Sequence, residues 1–155
     1  MLKYENNPEA LALELLSPKE LTTWMETTNS VCRQWAIRAK FQAESNQFVL
    51  LPETQHEKSR LLVGIGETAS IESMGALPFN LPPGSYQLNT DNKDLVLGWG
   101  LGAYRYDNYK TIKTDFPELY VGSQHKDLEA EINAIELCRD LINTPTSDML
   151  PHDLE

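Results

Sequence analysis

The stretch FVLLPETQHEKSRLLVGI, residues 48–65, carries the clearest indication of fold class in the chain. It begins and ends with short apolar runs, residues 48–51 and 61–65, which flank a polar segment. Short apolar runs that are rich in branched aliphatic residues and bounded by polar turns are typical of buried strands. We therefore predict two central strands of a sheet, joined by an exposed turn at residues 53–60.

Two helical patterns precede these strands. Ser17-Pro18-Lys19-Glu20 is a capping box with proline at the first helical position, which predicts a helix that begins at Pro18. A second pattern opens after Asn29 and places several apolar residues on one side of a helix: Val31, Cys32, Trp35, Ala36 and Ala39. We expect these two short helices to pack together.

Further helices and strands alternate toward the C-terminus, separated by turn and capping residues. They are a short helix at residues 71–76, a strand at 86–88 after the turn Pro82-Pro83-Gly84, a helix capped by Asp91 or Asn92 that runs to Tyr104, and a strand at 119–121. The chain therefore combines helical and strand patterns over most of its length.

The longest predicted helix covers residues 126–143. It has one apolar stripe with acids on the opposite side, and the stripe consists of Leu128, Ile132, Ile135 and Ile142, flanked by Ala134, Cys138 and Leu141. After the helix ends at Asn143-Thr144-Pro145, residues 150–155 are similar to the first turn of another helix. This pattern suggests a chain cut from a longer protein, and a frayed tail is the open alternative.

Composition and charge narrow the classes of function. The 155 residues are 41% hydrophobic and carry a net charge of −10, with 23 acids against 13 bases. These values are typical of one globular domain, and the excess of acids argues against nucleic acid as a partner. No apolar run approaches the roughly 20 residues that cross a bilayer, and the N-terminal residues lack the features of a signal peptide. We therefore expect a cytoplasmic protein with no membrane partner.

Cysteines and histidines are the first candidates for chemistry. Cys32 and Cys138 both fall in helical patterns, so we expect buried thiols that fill the core rather than a disulfide or a nucleophile. His56, His125 and His152 are scattered and lack the i, i+4 spacing of a helical zinc site. We interpret them as surface histidines, with a histidine-based metal or acid–base centre as the less favoured alternative.

Two glycine-rich segments match phosphate loops only in part. Gly64 and Gly66 follow a predicted strand, but no third glycine completes G-x-G-x-x-G and no Lys-Ser or Lys-Thr pair follows. Gly98, Gly100 and Gly102 lie in a helical pattern, where alternate glycines let a helix pack closely on its neighbour. We interpret the first pair as the end of a strand and the second set as a packing seam.

Two clusters of side chains also favour structural roles. The aromatic cluster of Trp99, Tyr104, Tyr106 and Tyr109 is typical of a helix end beside a core, although it offers surfaces on which a ligand could stack. The acidic cluster of Asp127, Glu129, Glu131 and Glu136 follows one amphipathic helix, so we expect it to form a solvated face. We assign no catalytic, cofactor-binding or metal-binding residue to this chain.

Three segments together resemble the leucyl aminopeptidase (cytosol aminopeptidase) family. GWGLGAYRYD at residues 98–107, followed by Tyr109-Lys110, is similar to the family's LGAYRFDRYK segment. RDLINTP at residues 139–145 is similar to its RDLVNTP segment, and residues 76–86 are similar to a stretch of a bacterial subgroup. The resemblance covers the chain from about Ser17 to Glu155.

The resemblance implies a chain in two parts. Family members have an N-terminal α/β domain, in which a macro-domain-like mixed sheet lies between two layers of helices, and a linker helix that leads to a C-terminal catalytic domain. Residues 1–125 would then be the N-terminal domain, and residues 126–155 the linker helix and the start of the missing catalytic domain. The fold is expected to be a three-layer αβα arrangement that ends in a long helix.

The resemblance also implies a function for the whole protein. The family consists of hexameric exopeptidases that remove N-terminal amino acids from peptides by means of two divalent metal ions, zinc or manganese. The metal ligands lie in the catalytic domain, and none maps onto this sequence. Asn89-Thr90-Asp91 lacks the Ala-Glu-Gly-Arg that completes the family's NTDAEGR motif, and we interpret it as a polar turn. The chain by itself is therefore expected to be inactive, with its own catalytic domain, other copies of the protein and peptides as partners of the whole enzyme.

Two other hypotheses stay open at this point. The first is a stand-alone macro-like module that binds a nucleotide or ADP-ribose near Gly64 and Gly66, which rests on analogy of fold alone. The second is a domain that serves only in oligomerisation.

Overall fold

The computed structural model describes residues 1–109 and 115–148. Within these residues six strands form one mixed sheet: β1 (Leu2–Lys3), β2 (Leu11–Leu16), β3 (Phe48–Leu51), β4 (Arg60–Gly64), β5 (Ser85–Leu88) and β6 (Glu118–Tyr120). Their order across the sheet is β1-β6-β5-β2-β4-β3. The β3–β4 pair is antiparallel and the other neighbouring pairs are parallel.

Five α-helices accompany the sheet in the described part of the chain: α1 (Pro18–Thr27), α2 (Ser30–Arg38), α3 (Leu77–Asn80), α4 (Lys93–Ala103) and α5 (Leu128–Asn143). Short 3₁₀ turns cover Ile71–Ser73 and Ser123–His125. The predicted helix at residues 71–76 is therefore only a turn, and α3 begins just beyond it. The other predicted helices are present, with a start for α5 within two residues of the prediction.

Capping residues account for the helix starts. Ser17 forms the predicted capping box, because its Oγ accepts a hydrogen bond from the Glu20 amide while the Glu20 carboxylate accepts one from the Ser17 amide at 2.8 Å. Asn29 caps α2 through the amide of Cys32, and Asn92 rather than Asp91 caps α4 through the amide of Asp94. The polar sequence before each of these helices thus fixes where it begins.

The sheet separates two apolar cores, which confirms the predicted three-layer α/β arrangement. The larger core lies between the sheet and helices α3, α4 and α5. The smaller core lies between the other face and helices α1 and α2, and includes Trp24, Cys32 and Ala36. β4 supplies both cores, because Leu61 and Val63 point to one face and Leu62 to the other. Kinship with macro domains stays a prediction.

Two aspects of the sheet differ from the prediction. β3 is an edge strand rather than a central one, since it pairs only with β4 in the described sheet. Its apolar sequence is explained in part by Val49 and Leu51, which are buried in the smaller core, and by Phe48, which packs on the larger one, whereas Leu50 is half-exposed. In addition, two strands were not predicted, namely β2, an interior strand between β4 and β5, and the short edge strand β1.

Helix faces also differ in part from the predicted ones. On α2, Cys32 and Ala36 are buried, but Val31 and Trp35 are each 46% exposed. On α5, Leu128 and Ile132 are buried, whereas Ile142 is 82% exposed.

No helix in residues 1–109 and 115–148 is long and apolar enough to cross a membrane. The predicted helix start at residues 150–155 lies outside the described residues.

Candidate functional site at the α4–α5 face

Helix α4 approaches the backbone around it unusually closely, and its glycines make this possible. A Cβ atom on Gly98 would lie 2.1 Å from the carbonyl oxygen of Ile71, and one on Gly102 would lie 1.9 Å from that of Gly75. On the side toward α5, a Cβ on Gly100 would lie 2.5 Å from Cδ1 of Ile132. The predicted packing seam is therefore confirmed.

Tyrosines of the segment after α4 bind the C-terminal half of α5 and the residues that follow it. The hydroxyl of Tyr104 donates to Oδ1 of Asp140 at 2.7 Å, and Tyr106 and Thr144 are joined through their hydroxyl oxygens at 3.0 Å. Tyr109 donates to the Asp148 carboxylate, which raises the pKa of its phenol. Burial, with the nearby Asp140 carboxylate, raises the pKa of Tyr104 too. Tyr104 and Tyr109 therefore act as hydrogen-bond donors. The contacts of Tyr104, Tyr106 and Tyr109 with Asp140, Thr144 and Asp148 are called the tyrosine clasp.

Trp99 belongs to a different environment from the tyrosines. Its ring is fully buried in the larger core and lies 6.4 Å from that of Tyr86, centroid to centroid. Its indole nitrogen has no hydrogen-bond partner among the described residues. The aromatic cluster predicted from sequence is therefore divided between core packing and the clasp, as expected for structural roles.

Two arginines cap the backbone carbonyl groups at the C-terminal end of α4. Arg105 donates through Nη1 to the carbonyls of Gly102 and Tyr104 at 3.0 and 2.7 Å, and Arg139 donates to that of Leu101 at 2.7 Å. Cations at this end also interact favourably with the helix dipole. The guanidinium of Arg105 stacks 3.2 Å from the ring centroid of Phe79, and burial lowers its pKa.

A cleft of about 460 Å³ opens beside this end of α4. It is lined by residues of β1, α4, the following segment and α5: Met1, Leu2, Tyr4, Gly100, Ala103, Arg105, Asp107, Phe116, Glu129, Ile132, Asn133 and Glu136. Glu136 is half-buried rather than solvated as predicted. This burial, with the charge of Asp140, raises the pKa of its carboxyl group. Glu131 and Asp127 are exposed as predicted, and Asp127 pairs with Lys93.

The cleft combines apolar side chains with the carboxylates of Asp107, Glu129 and Glu136. Two-metal hydrolysis needs several carboxylates or imidazoles that converge on one point. Among residues 1–109 and 115–148, no group of three or more His, Cys, Asp and Glu side chains is arranged to hold a metal ion. The carboxylates of the cleft instead lie along α5 and on the segment that follows α4.

The cysteines differ from each other in burial, and so do the histidines. Cys32 is buried as expected, but Cys138 is exposed, because it lies on the side of α5 that faces away from the core. His125 is only 2% exposed and its Nε2 donates to the carbonyl of Thr90 at 2.7 Å, so its interpretation as a surface residue was wrong. His56 is exposed, and His152 lies outside the described residues.

The two remaining sequence motifs have structural explanations. The backbone of Ala43 and Glu44 fills the space next to Gly64, where a Cβ would lie 2.2 Å from the Glu44 carbonyl oxygen. Gly66 has a φ of 77°, a left-handed conformation that favours glycine at the end of the strand. In the segment Asn89-Thr90-Asp91, Thr90 Oγ1 accepts a hydrogen bond from the Asn92 amide, which confirms a turn before α4.

Sequence reasoning missed a polar network on the opposite side of the sheet. Arg60 donates to Glu14 at 2.5 Å and to Glu57 at 3.1 Å, and Glu14 also accepts a hydrogen bond from the indole of Trp24. Glu57 in turn accepts from the side chain of Asn29 at 2.6 Å. Apart from Glu57 and Arg60, which are three positions apart, these residues are distant in the sequence, so local spacing could not have revealed the network.

Comparison with known proteins gives one match to a family and several to structures. Residues 11–122 match the family model described as M17 aminopeptidase, N-terminal domain. No curated protein sequence matches significantly. The solved structure of cytosol aminopeptidase from Coxiella burnetii is 28% identical, with a TM-score of 0.84, over 99% of this chain and 35% of that chain.

Two further solved structures share the fold at lower identity. A tomato leucine aminopeptidase variant matches with a TM-score of 0.66 at 16% identity, over 99% of this chain and 39% of that one. The bottromycin maturation enzyme BotP matches with a TM-score of 0.64 at 22% identity, over 93% and 35%. The chain thus spans 35–39% of the length of these structures. The comparisons give no support to a nucleotide-binding module.

Proposed function

Because the chain belongs to the M17 aminopeptidase N-terminal domain family, we propose that it is the non-catalytic N-terminal domain of a leucyl aminopeptidase. The observation that carries this proposal is the match to the Coxiella cytosol aminopeptidase, which includes 99% of this chain but only 35% of that enzyme. The remaining part of such an enzyme is large enough to hold a separate catalytic domain.

In such an enzyme the catalytic chemistry would take place in that other domain. There, two divalent metal ions, zinc or manganese, would activate water and polarise the peptide carbonyl so that N-terminal amino acids are removed from peptides. Residues 1–125 form the N-terminal domain in this scheme, and residues 126–155 are the linker helix and the start of the catalytic domain. The whole enzyme would be a cytoplasmic hexamer.

The tyrosine clasp and the glycine seam support a structural role for this chain. They fix α5 against α4 through Ile132 and Asp140, and thereby hold the helix that leads out of the domain in one orientation. A rigidly held exit helix is what an N-terminal domain needs in order to position, rather than perform, the chemistry of its neighbour.

An activity assay tests the proposal directly. The purified chain is incubated with leucine p-nitroanilide and with manganese or zinc, and the Coxiella cytosol aminopeptidase serves as the positive control under the same conditions. We expect no release of nitroaniline above the metal-only blank. Metal-dependent hydrolysis that a chelator abolishes, and that copurifies with the chain, would contradict the proposal.

A further inference from the structure

Helix α5 carries a second apolar stripe, on the side that faces away from the domain. Leu128 and Ile132 bury the inner side against the core, while Ala130, Ala134, Leu137 and Leu141 follow one another at intervals of three or four residues. At about 100° per residue, Leu137 lies half a turn around the axis from Leu128. Ala130, Ala134, Leu137 and Leu141, together with the adjacent Cys138, are called the outer stripe below.

The outer stripe is uncovered over most of its length. Leu137 is 59% exposed, and both alanines and Cys138 are also exposed. The inner side by contrast packs on the domain up to the last turn, where Ile142 is exposed, because Ile132 contacts α4 at Gly100 and Arg139 donates to the carbonyl of Leu101. A helix that is apolar on two opposite sides is typical of one that is buried between two bodies.

We propose that the outer stripe is the docking face for the catalytic part of the same aminopeptidase. This inference rests on the proposed function. The family model of the N-terminal domain ends at residue 122, before α5 begins at Leu128, whereas the match to the Coxiella enzyme includes α5 and leaves most of that enzyme's chain beyond it. The helix therefore lies where the N-terminal domain meets the rest of the polypeptide.

The charge of α5 favours the catalytic part of the enzyme over a second copy of the chain as the partner of the outer stripe. Helix α5 contains four acids and a single base, Arg139, which is turned toward α4. Two copies that met through their outer stripes would bring acidic rims together, including Glu131, in a chain whose net charge is −10. The matching surface is therefore an apolar patch with lysine or arginine at its rim.

Thiol labelling tests the docking face, because Cys138 lies in it and the buried Cys32 serves as an internal control. The chain is compared with a fusion in which the part of the Coxiella enzyme beyond the matched segment follows residue 155. We expect N-ethylmaleimide to label Cys138 rapidly in the chain alone and about tenfold or more slowly in the fusion. Leu137→Glu should restore rapid labelling in the fusion.

A matched control is Ile37→Glu, which places the same charge on a 60% exposed residue of α2, on the other side of the sheet. It should leave the labelling of Cys138 in the fusion slow. Equal labelling in the chain and in an active fusion would overturn the docking face while leaving the proposed function intact. A fusion that protects Cys138 but does not hydrolyse leucine p-nitroanilide would support the docking face and count against the proposed function.

Two further outcomes decide the remaining cases. If Cys138 is already protected in the chain alone and sedimentation shows a dimer, a second copy covers the stripe and the inference is wrong. If the fusion does not fold, cysteines are placed in the intact Coxiella enzyme at the positions that align with Leu137 and Ile37. Slower labelling at the first position supports the docking face, and equal rates at both positions overturn it.

Discussion

Gly98 is the residue at which α4 crosses the turn Ile71–Ser73 with no room for a side chain. A Cβ there would lie 2.1 Å from a backbone carbonyl oxygen, which cannot move aside as the end of a flexible side chain could. Single residues of this kind set the distance between elements. His125 is another example, since its buried Nε2 anchors the turn before α5 to the carbonyl of Thr90.

We predict that Gly98→Ala destabilises the chain. Alanine gains about 1 kcal/mol in helix propensity, but the forced shift of α4 costs more, so we expect a net loss of about 2 kcal/mol in the free energy of unfolding. Urea unfolding, monitored by circular dichroism, measures this change in the free energy of unfolding. Gly75→Ala is the control, because a Cβ there would meet its nearest atom at an ordinary 3.7 Å. Equal stability of the two variants would contradict the close approach.

Helix α1 shows how a short sequence fixes an element. The capping box at Ser17 and Glu20 satisfies backbone amides that no carbonyl within the helix can reach. The Glu20 carboxylate accepts hydrogen bonds from the side chain and the backbone of Ser17, and these lower its pKa. The box therefore links the stability of α1 to pH.

We predict that Ser17→Ala costs about 1 kcal/mol of stability near neutral pH. Because the pKa of Glu20 is lower in the folded state than in the unfolded one, its contribution is present above the ordinary pKa of 4.5 and is lost as the pH falls through the folded value. The difference between the wild type and Ser17→Ala should therefore shrink in acid. Urea midpoints across the acid range measure it, and Thr22→Ala, at an exposed position within α1, should show no such trend.

How far the sequence predicts each element depends on whether the decisive contacts are local. Capping residues and apolar runs lie within a few positions of the elements that they define, so α1, α2, α4 and β4 are predicted well. β2 has the sequence LALELL, whose residues are good helix formers. It becomes a strand because parallel partners at residues 60–64 and 86–88 flank it, and no local pattern reports them.

Around the candidate site, too, the burial of α5 side chains depends on contacts that are distant in the sequence. Cys138 falls in an amphipathic pattern, but a pattern cannot tell which of two apolar sides of α5 faces this domain. Ile142 lies on the same side as Leu128, but in the last turn of the helix, where it is exposed. The structure shows that the inner side is the one that packs on α4, with Ile132 against Gly100. The resemblance to aminopeptidases was predictable because RDLINTP and the glycine-rich segment are contiguous motifs and occur in the expected order.

At the scale of the whole molecule, the sheet makes one cooperative unit of two cores. β2 gives Leu13 to the larger core and Leu16 to the smaller one, and β4 contributes to both as well. Neither core can lose its strands without exposing the other. The domain should therefore unfold in a single transition, as small domains generally do.

Tryptophan fluorescence can test whether the two cores unfold in a single transition. Each core contains one tryptophan, and Trp35 is partly exposed outside them. In the double variant W35F/W99F, Trp24 reports on the smaller core, and in W24F/W35F, Trp99 reports on the larger one. The substitutions lower stability to different extents, so each variant is compared with its own circular dichroism. We expect the fluorescence and circular dichroism midpoints of each variant to agree within about 0.3 M urea. An earlier fluorescence transition for Trp24 alone would mean that α1 and α2 detach first, and that the sheet does not couple the two cores.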